Sequence, residues 1–156
     1  MPPDKQKPSL RVQALKFLAR REYTRVELKA RLESEDTDAG ELEALLDEFS
    51  KRGWISETRV VEQLTHARRA RYGSRRIRQE LEAKGVPDEL ISVAMQDLKE
   101  TDLAAARGVW QRKFGRAPQN ANERARQVRF LQSRGFPLDL ALRVVREAGE
   151  DPDVQD

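Results

Sequence analysis

Arginine side chains crowd one short stretch near the middle of the chain, at the junction of two predicted helices. Six of them fall within eleven positions: Arg68, Arg69, Arg71, Arg75, Arg76 and Arg78. A guanidinium group donates paired hydrogen bonds to a phosphate or a carboxylate, and few carboxylates are placed in the sequence to neutralise these charges locally. The alternative is that the arginines lie on solvated helix faces. We predict a partner-binding basic patch, which also includes Lys84, Arg126, Arg129 and Arg134.

The residue types that catalysis and metal binding require are scarce in the sequence. There is no cysteine, which excludes thiolate zinc sites and cysteine nucleophiles, and His66 is the only histidine. Neither of the glycine-rich phosphate-binding patterns, Gly-x-x-x-x-Gly-Lys-Ser/Thr or Gly-x-Gly-x-x-Gly, occurs. We therefore predict a binding protein that is not an enzyme and that uses no cofactor, metal or small-molecule substrate.

Charge is unevenly distributed along the chain. The formal net charge is only +3, from 30 Lys+Arg and 27 Asp+Glu, yet residues 56–86 hold eight basic and four acidic side chains. Residues 101–135 hold eight basic and two acidic side chains. Such segregation favours a surface that meets a polyanion or an acidic protein face. No apolar run approaches the roughly 18 residues that a membrane span needs, so we expect a cytoplasmic protein without membrane contact.

Apolar residues recur with the 3.6-residue period of helices, which predicts an all-α fold. Thr24 followed by Glu27 predicts a capping box at a helix start, and Ser56 is a good N-cap for a later helix. Gly53 follows the third apolar stripe and predicts a helix end. Thr101 is predicted to begin a separate helix, the first of the third unit.

The helical pattern repeats with a period of about 50 residues. Gly85-Val86-Pro87 and Gly135-Phe136-Pro137 lie 50 positions apart, as do Thr24 and Ser74. We therefore expect three tandem three-helix repeats, stacked into an elongated, curved body that is a monomer. The predicted segments are a disordered N-terminal lead (1–8), three helical repeats (9–55, 56–100 and 101–148) and an acidic tail (149–156).

Three blocks of sequence carry a resemblance to a known family. They are Leu18-Ala-Arg-Arg-Glu-Tyr-Thr-Arg-Val-Glu-Leu28, Tyr72-Gly-Ser-Arg-Arg-Ile-Arg-Gln-Glu-Leu-Glu-Ala-Lys-Gly-Val86 and Arg129-Phe-Leu-Gln-Ser-Arg-Gly-Phe136. In these blocks the chain resembles RecX, the bacterial regulator of the RecA recombinase, and the likeness extends from Ser9 to about Ala148. The first unit departs from the family, because Ser34-Glu-Asp-Thr-Asp38 replaces the usual Lys-Gly turn.

The resemblance implies a regulator that binds RecA filaments on single-stranded DNA and usually lowers ATP hydrolysis, strand exchange and the co-protease action of the filament. We predict that the ten basic residues named above, chosen from their charge and spacing, bind the RecA filament, or single- or double-stranded DNA. Two alternatives stay open from the residues themselves. One is an independent nucleic-acid-binding module, with Ser74 to Lys84 as the recognition helix of a helix-turn-helix. The other, more distant, is a helical enzyme subunit.

Overall fold

The computed structural model describes residues 8–150, and within that range the ordered elements are helices. Their bounds are α1 Leu10–Leu18, α2 Arg25–Leu32, α3 Ala39–Lys51, α4 Glu57–Arg68, α5 Ser74–Ala83, α6 Asp88–Lys113, α7 Ala121–Ser133 and α8 Leu138–Glu150. The all-α prediction is confirmed. Most of the predicted lead and tail, residues 1–7 and 151–156, lies outside the described residues. No helix between residues 8 and 150 is both long enough and apolar enough to cross a membrane.

Helix α2 begins where its capping residues predict. The Thr24 hydroxyl accepts a hydrogen bond from the Glu27 amide (3.0 Å), and the Glu27 carboxylate accepts one from the Thr24 amide (3.1 Å). This reciprocal pair is the predicted capping box, and it satisfies two backbone donors that a helix start leaves unpaired. Gly53, Gly85 and Gly135 follow helix ends with φ of +72°, +77° and +93°, a region that side chains with a Cβ rarely adopt.

Three separate hydrophobic cores divide the helices into three units. The first unit comprises α1 to α3, the second α4, α5 and the first half of α6, and the third the rest of α6 with α7 and α8. Fully buried side chains mark each core: Leu28, Leu46 and Phe49 in the first, Ile77 and Leu81 in the second, Leu131 and Phe136 in the third. Helices pack mainly within their own unit. This tandem order agrees with the predicted stacking of repeats.

Helix α6 crosses the predicted boundary between the second and third repeats. It runs for 26 residues through Thr101, so the prediction of a separate helix start there was wrong. No glycine or proline occurs between residues 88 and 107 to interrupt the helix. The Thr101 hydroxyl donates back to the carbonyls of Asp97 (3.2 Å) and Leu98 (3.3 Å) and therefore does not act as an N-cap.

The first joint connects the first and second units through side chains. The Thr24 hydroxyl donates to the Lys84 carbonyl (2.5 Å), and the Arg25 amide donates to the Glu57 carboxylate (3.0 Å). A salt bridge between Arg59 and Glu22 (2.8 Å) adds a third link. The start of α2 is therefore held against the turn that follows α5 and the first turn of α4.

The second joint connects the second and third units through backbone atoms and one buried carboxylate. The Gly73 amide donates to the Arg134 carbonyl (2.7 Å), and the Arg75 amide donates to the Gly135 carbonyl (3.1 Å). Both the amide and the hydroxyl of Ser74 donate to the Asp102 carboxylate, which is 2 % exposed. The start of α5 is therefore held against the turn that follows α7 and against α6.

The two joints are copies of one arrangement. Thr24 and Ser74 lie 50 positions apart, and so do their neighbours across the joints, the Lys84-Gly85 and Arg134-Gly135 turns. In each joint the start of a second helix contacts the glycine turn of the next unit. The repeat seen in the sequence therefore reappears as a repeated contact between units.

Candidate macromolecular interface

Ion pairing divides the ten predicted basic residues into two groups. Five of them form salt bridges: Arg68 and Arg76 with Glu80 (3.0 and 3.8 Å), Arg69 with Asp102 (2.8 Å), Arg78 with Glu82 (2.9 Å) and Lys84 with Glu27 (3.4 Å). Within residues 8–150 the other five form none: Arg71, Arg75, Arg126, Arg129 and Arg134. The expectation that few carboxylates would neutralise the patch was therefore wrong for half of it.

Arg69 is a structural residue of the second joint. Besides the salt bridge with Asp102, its guanidinium donates to the Leu98 carbonyl (2.6 Å) and to the Thr101 hydroxyl (2.8 Å). Its side chain is only 19 % exposed. Contact with a partner would require this network to break, so the structure does not support Arg69 as a partner-binding residue.

Lys84 belongs to the first joint, apart from the other predicted residues. Its ammonium group lies 3.4 Å from the Glu27 carboxylate, and its carbonyl accepts the Thr24 hydroxyl. Burial alone would raise the pKa of Glu27, but the hydrogen bond from the Thr24 amide and the charges of Lys84 and Arg21 outweigh it and lower that pKa. The Glu27 carboxylate is therefore held ionised as a partner for Lys84.

At the second joint, cationic and aromatic side chains form a continuous surface. The Arg76 guanidinium lies 4.6 Å from the centre of the Tyr72 ring. Arg134 lies 5.4 Å from the same ring and 5.0 Å from the Phe130 ring, which Lys113 also approaches, at 5.3 Å. We call the group the basic–aromatic cluster, and its members are Arg71, Tyr72, Arg76, Arg112, Lys113, Phe130 and Arg134.

The cluster surrounds a shallow cleft between the second and third units. Arg71, Arg112, Lys113 and Arg134 line this cleft, whose volume is about 310 Å³, together with Phe130. Arg112 donates to the Ala70 carbonyl, which holds its guanidinium across the joint. None of the four cations forms a salt bridge within the described part of the chain. Their combined charge is therefore available to an anionic partner, and the Phe130 ring lies against two of them, Lys113 and Arg134.

Besides the salt-bridged Arg68, Arg69, Arg78 and Lys84, three predicted residues lie outside this cluster. Arg75, Arg126 and Arg129 are exposed and form no salt bridge among residues 8–150. Arg75 contributes its backbone amide to the second joint, whereas Arg126 and Arg129 lie three positions apart on α7. The structure brings Arg71, Arg76 and Arg134 together and leaves these three as separate exposed charges.

Sequence reasoning missed four members of the cluster: Tyr72, Arg112, Lys113 and Phe130. Arg112 and Lys113 belong to the basic stretch 101–135, so their charge was visible, but their position at the joint was not. The available signal was the 50-residue repeat. The Arg134 turn and the start of α5 each lie 50 positions after their equivalents, the Lys84 turn and the start of α2. A contact in the first pair therefore implies the same contact in the second pair, beside Tyr72.

Metal ligands are absent from this surface. Between residues 8 and 150 no three His, Asp or Glu side chains are grouped closely enough to hold a metal ion.

Comparison with known proteins identifies the family. Residues 56–95 match the family model of the second three-helix domain of RecX, and residues 100–145 match that of the third. The regulatory protein RecX of Leptothrix cholodnii is 46 % identical over 93 % of this chain and 92 % of its own length. The chain belongs to the RecX family. A RecX relative from Ralstonia pickettii is 38 % identical over the full length of both chains.

Solved RecX structures share the fold. The crystal structure of RecX from Lactobacillus salivarius superimposes with a TM-score of 0.78, covering 91 % of this chain and 96 % of that one at 16 % identity. A second RecX crystal structure gives a TM-score of 0.72 over 88 % of this chain and 71 % of its own, at 19 % identity. In the present chain, α6 joins the two matched domains, the second and the third.

Proposed function

We propose that this RecX protein regulates the RecA recombinase by binding in the groove of the RecA filament on single-stranded DNA. Binding would lower ATP hydrolysis, strand exchange and the co-protease activity of the filament. The relatives are named regulatory proteins, which supports regulation rather than catalysis. The observation that carries the proposal is the basic–aromatic cluster, where four cations that have no carboxylate partner among residues 8–150 converge between two units. We further propose that the protein acts as a cytoplasmic monomer and takes no small-molecule substrate.

The tandem arrangement suits a filament groove. A body of three linked units can contact more than one subunit of a helical filament, with the cluster at the second joint against acidic protein surface or DNA phosphate. ATP turnover in a filament requires the interfaces between subunits to move. A ligand that spans two subunits and binds one state more tightly shifts the population toward that state and slows cycling. Occupation of the groove would also exclude an incoming duplex.

A variant pair with equal charge change tests the role of the cluster. The variant Arg71→Glu/Lys113→Glu and the control Lys51→Glu/Lys99→Glu both change the net charge by −4, from +3 to −1. The control residues are exposed lysines outside the cluster, and neither forms a salt bridge in the described part of the chain. We expect the cluster variant to need about tenfold more protein for half-maximal inhibition of RecA ATPase, equivalent to about 1.4 kcal/mol.

The measurement is co-sedimentation with RecA filaments on single-stranded DNA, with ATPase activity assayed in the same samples. The control variant should inhibit like the parent, and circular dichroism should show equal helicity in all three proteins. Equal inhibition by the cluster and control variants would show that the cluster is only a solvated face.

Direct DNA binding is the second candidate, and the same cations support it because they suit phosphate contacts. Base reading by α5 is disfavoured, since Ser74 is 1 % exposed and the amides of Gly73 and Arg75 are bonded to the third unit. A DNA-binding module would sediment with naked single-stranded DNA and lose affinity steeply as salt increases. A filament regulator would require RecA and would depend on the nucleotide state of the filament.

A further inference from the structure

Helix α8 ends close to the basic–aromatic cluster, at the point where the acidic tail begins. Its last residue, Glu150, lies two positions before Pro152, and a proline disfavours helix in the residue that precedes it. Glu150 lines an open groove of about 720 Å³ between α6 and α8, together with Gly108 and Gln111. Residues 151–156 are therefore attached beside the last turns of α6.

Arg112 connects this groove to the cluster. A Cβ added to Gly108 would lie 3.3 Å from Nη1 of Arg112, so the guanidinium lies over the glycine at the edge of the groove. The same guanidinium donates to the Ala70 carbonyl, and Arg112 lines the cleft of the cluster. The groove in which α8 ends and the cleft in which the cations converge are therefore adjacent.

The cleft and the tail carry opposite charge. Among the described residues, the side chains that line the cleft include no carboxylate and four cations: Arg71, Arg112, Lys113 and Arg134. Residues 149–156 include four acidic side chains and no lysine or arginine. Exposed charges attract one another over about 8 Å at physiological salt, so the adjacent position of the two surfaces matters.

Two other cations beside the end of α8 are already neutralised. Glu147 forms salt bridges with Arg143 (2.8 Å) and Arg107 (2.5 Å). Hydrogen bonds from Arg143 and Arg107 lower the pKa of Glu147 to about 2, so its carboxylate stays ionised and holds both guanidinium groups. Arg146 is exposed on α8 but offers a single charge, whereas the cleft offers four.

The tail is long enough to reach the cleft. An extended chain spans about 3.3 to 3.6 Å per residue, so six residues reach up to about 20 Å. Lys113 follows Gln111 by two residues on α6, which is a rise of only about 3 Å. A segment attached this close has an effective concentration in the millimolar range, so individually weak ionic contacts are enough for binding.

We propose that the acidic tail lies against the basic–aromatic cluster in the free protein, with its carboxylates paired with Arg112, Lys113 and Arg134. An anionic partner would bind the cluster only after the tail has left it. The tail would therefore act as an intramolecular competitor, and its affinity for the cluster would fall as salt increases. The contact lies within the chain and does not depend on the proposed function.

A nitroxide label tests the contact without any partner. The chain has no cysteine, so Val154→Cys supplies a single attachment site in the tail. In the ¹⁵N-labelled full chain we expect the label to broaden the amide signals of Arg71, Lys113 and Arg134 at low salt. This broadening should fall at least about threefold in 1 M NaCl, where the screening length is about 3 Å.

A second substitution checks that the cluster holds the tail. In the labelled protein, Arg71→Glu/Lys113→Glu should remove the broadening at Arg134, whereas Lys51→Glu/Lys99→Glu, with the same change in charge, should leave it unchanged. A label that broadens only the signals around Arg146 and Glu150, equally at both salt concentrations, would overturn the proposal.

Variants with equal charge change test whether the tail competes with an anion. Asp151→Asn/Asp153→Asn/Asp156→Asn neutralises the tail. Glu62→Gln/Asp97→Asn/Glu100→Gln is the control, because these exposed carboxylates of α4 and α6 form no salt bridge within residues 8–150. Both variants raise the net charge by 3, from +3 to +6.

The probe is inorganic tripolyphosphate, titrated by calorimetry at 0.15 M salt. We expect the tail variant to bind it at least about threefold more tightly than the control, because the competitor has been removed. Circular dichroism should show equal helicity in both variants. Equal affinities of the two variants would contradict the proposal, and the label experiment decides alone if tripolyphosphate binds neither. Since no recombinase is present, each result leaves the RecA proposal untouched.

Discussion

The two joints use equivalent surfaces but are held together differently. The first joint relies on side chains, including the Arg59–Glu22 salt bridge, whose members are 42 % and 24 % exposed. The second joint relies on two backbone hydrogen bonds and on Asp102, which is 2 % exposed. Helix α6 also runs through the second joint, whereas a turn at Gly53 and Trp54 separates α3 from α4. A repeated contact can therefore be strengthened in one copy without changing its position.

The residue at the start of each joint explains how close the backbones come. Tyr23 in the first joint and Gly73 in the second lie 50 positions apart. A Cβ at Gly73 would lie 2.4 Å from the Gly135 carbonyl oxygen, so only glycine allows this approach. Tyr23 instead packs its ring against Phe17 and beneath Arg21.

We expect the second and third units to open together in hydrogen exchange and the first unit to open at lower free energy.

The largest effect should follow from Asp102→Ala in the second joint. The substitution leaves the Arg69 guanidinium and the Ser74 amide without their buried acceptor. Loss of one partner of a buried ion pair costs about 3 to 5 kcal/mol, so we expect the free energy of unfolding to fall by that amount. Urea denaturation followed by circular dichroism measures it.

The matched control is Asp97→Ala on the same helix. Asp97 is exposed and forms no salt bridge within the described residues, so its replacement should change stability by about 0.5 kcal/mol or less. Similar losses in the two variants would mean that Asp102 does not hold the second joint.

A smaller loss should follow from Gly73→Ala. The added methyl group must displace the backbone of Gly135, and such overpacking costs about 1 to 3 kcal/mol. Gly108→Ala on α6 is the control, because its added Cβ meets only a side-chain atom, the end of Arg112 at 3.3 Å, and no backbone of another unit. That control should be neutral or slightly stabilising, since alanine favours helix. Thermal unfolding of both proteins measures the difference in stability. Equal stabilities would show that the second joint is not closely packed.

The smallest effect concerns Glu57 in the first joint. Burial raises the pKa of this carboxyl group, although the hydrogen bond from the Arg25 amide opposes the shift. Because the folded-state pKa lies above the unfolded value of 4.5, stability falls as pH rises from 4.5 through the folded-state pKa. Glu57→Gln removes this penalty while retaining an acceptor for Arg25.

We therefore expect Glu57→Gln to be more stable than the parent at pH 7 by a few tenths of a kcal/mol, a value reduced by solvent screening of this partly exposed group. The two proteins should converge below pH 4.5, where the carboxyl group is protonated in both states. Urea denaturation at pH 4 and pH 7 measures the difference. A variant that is less stable at pH 7 would show that the ionised carboxylate strengthens the first joint.

Local signals were enough to predict most of the helices. The Thr24–Glu27 capping box and the glycine turns depend on residues within one helical turn, so they could be identified from spacing alone. The prediction of a helix start at Thr101 rested on threonine being a common N-cap. It was wrong because no glycine or proline precedes Thr101 to end the helix. Its hydroxyl found acceptors on the preceding turn of α6, and the helix continued.

The interface was less predictable because ion pairs connect distant residues. The pairing of Arg78 with Glu82 follows from their spacing of four, but that of Arg69 with Asp102 spans 33 positions. Only the packing of α4 against α6 brings the latter pair together. The cluster likewise combines Tyr72, Lys113 and Phe130 from three helical regions, which no local pattern connects.

The uninterrupted course of α6 constrains how this protein can vary. Its 26 residues span about 39 Å, and each residue advances the helix by about 1.5 Å and about 100°. One residue inserted between Leu98 and Asp102 would rotate the third unit by about 100° around the helix axis. The hydrogen bonds between Ser74 and Asp102 would then be lost. An insertion at Gly53 would only lengthen a turn. Insertions and deletions should therefore accumulate between the first two units, while the number of residues in α6 between Leu98 and Asp102 stays fixed.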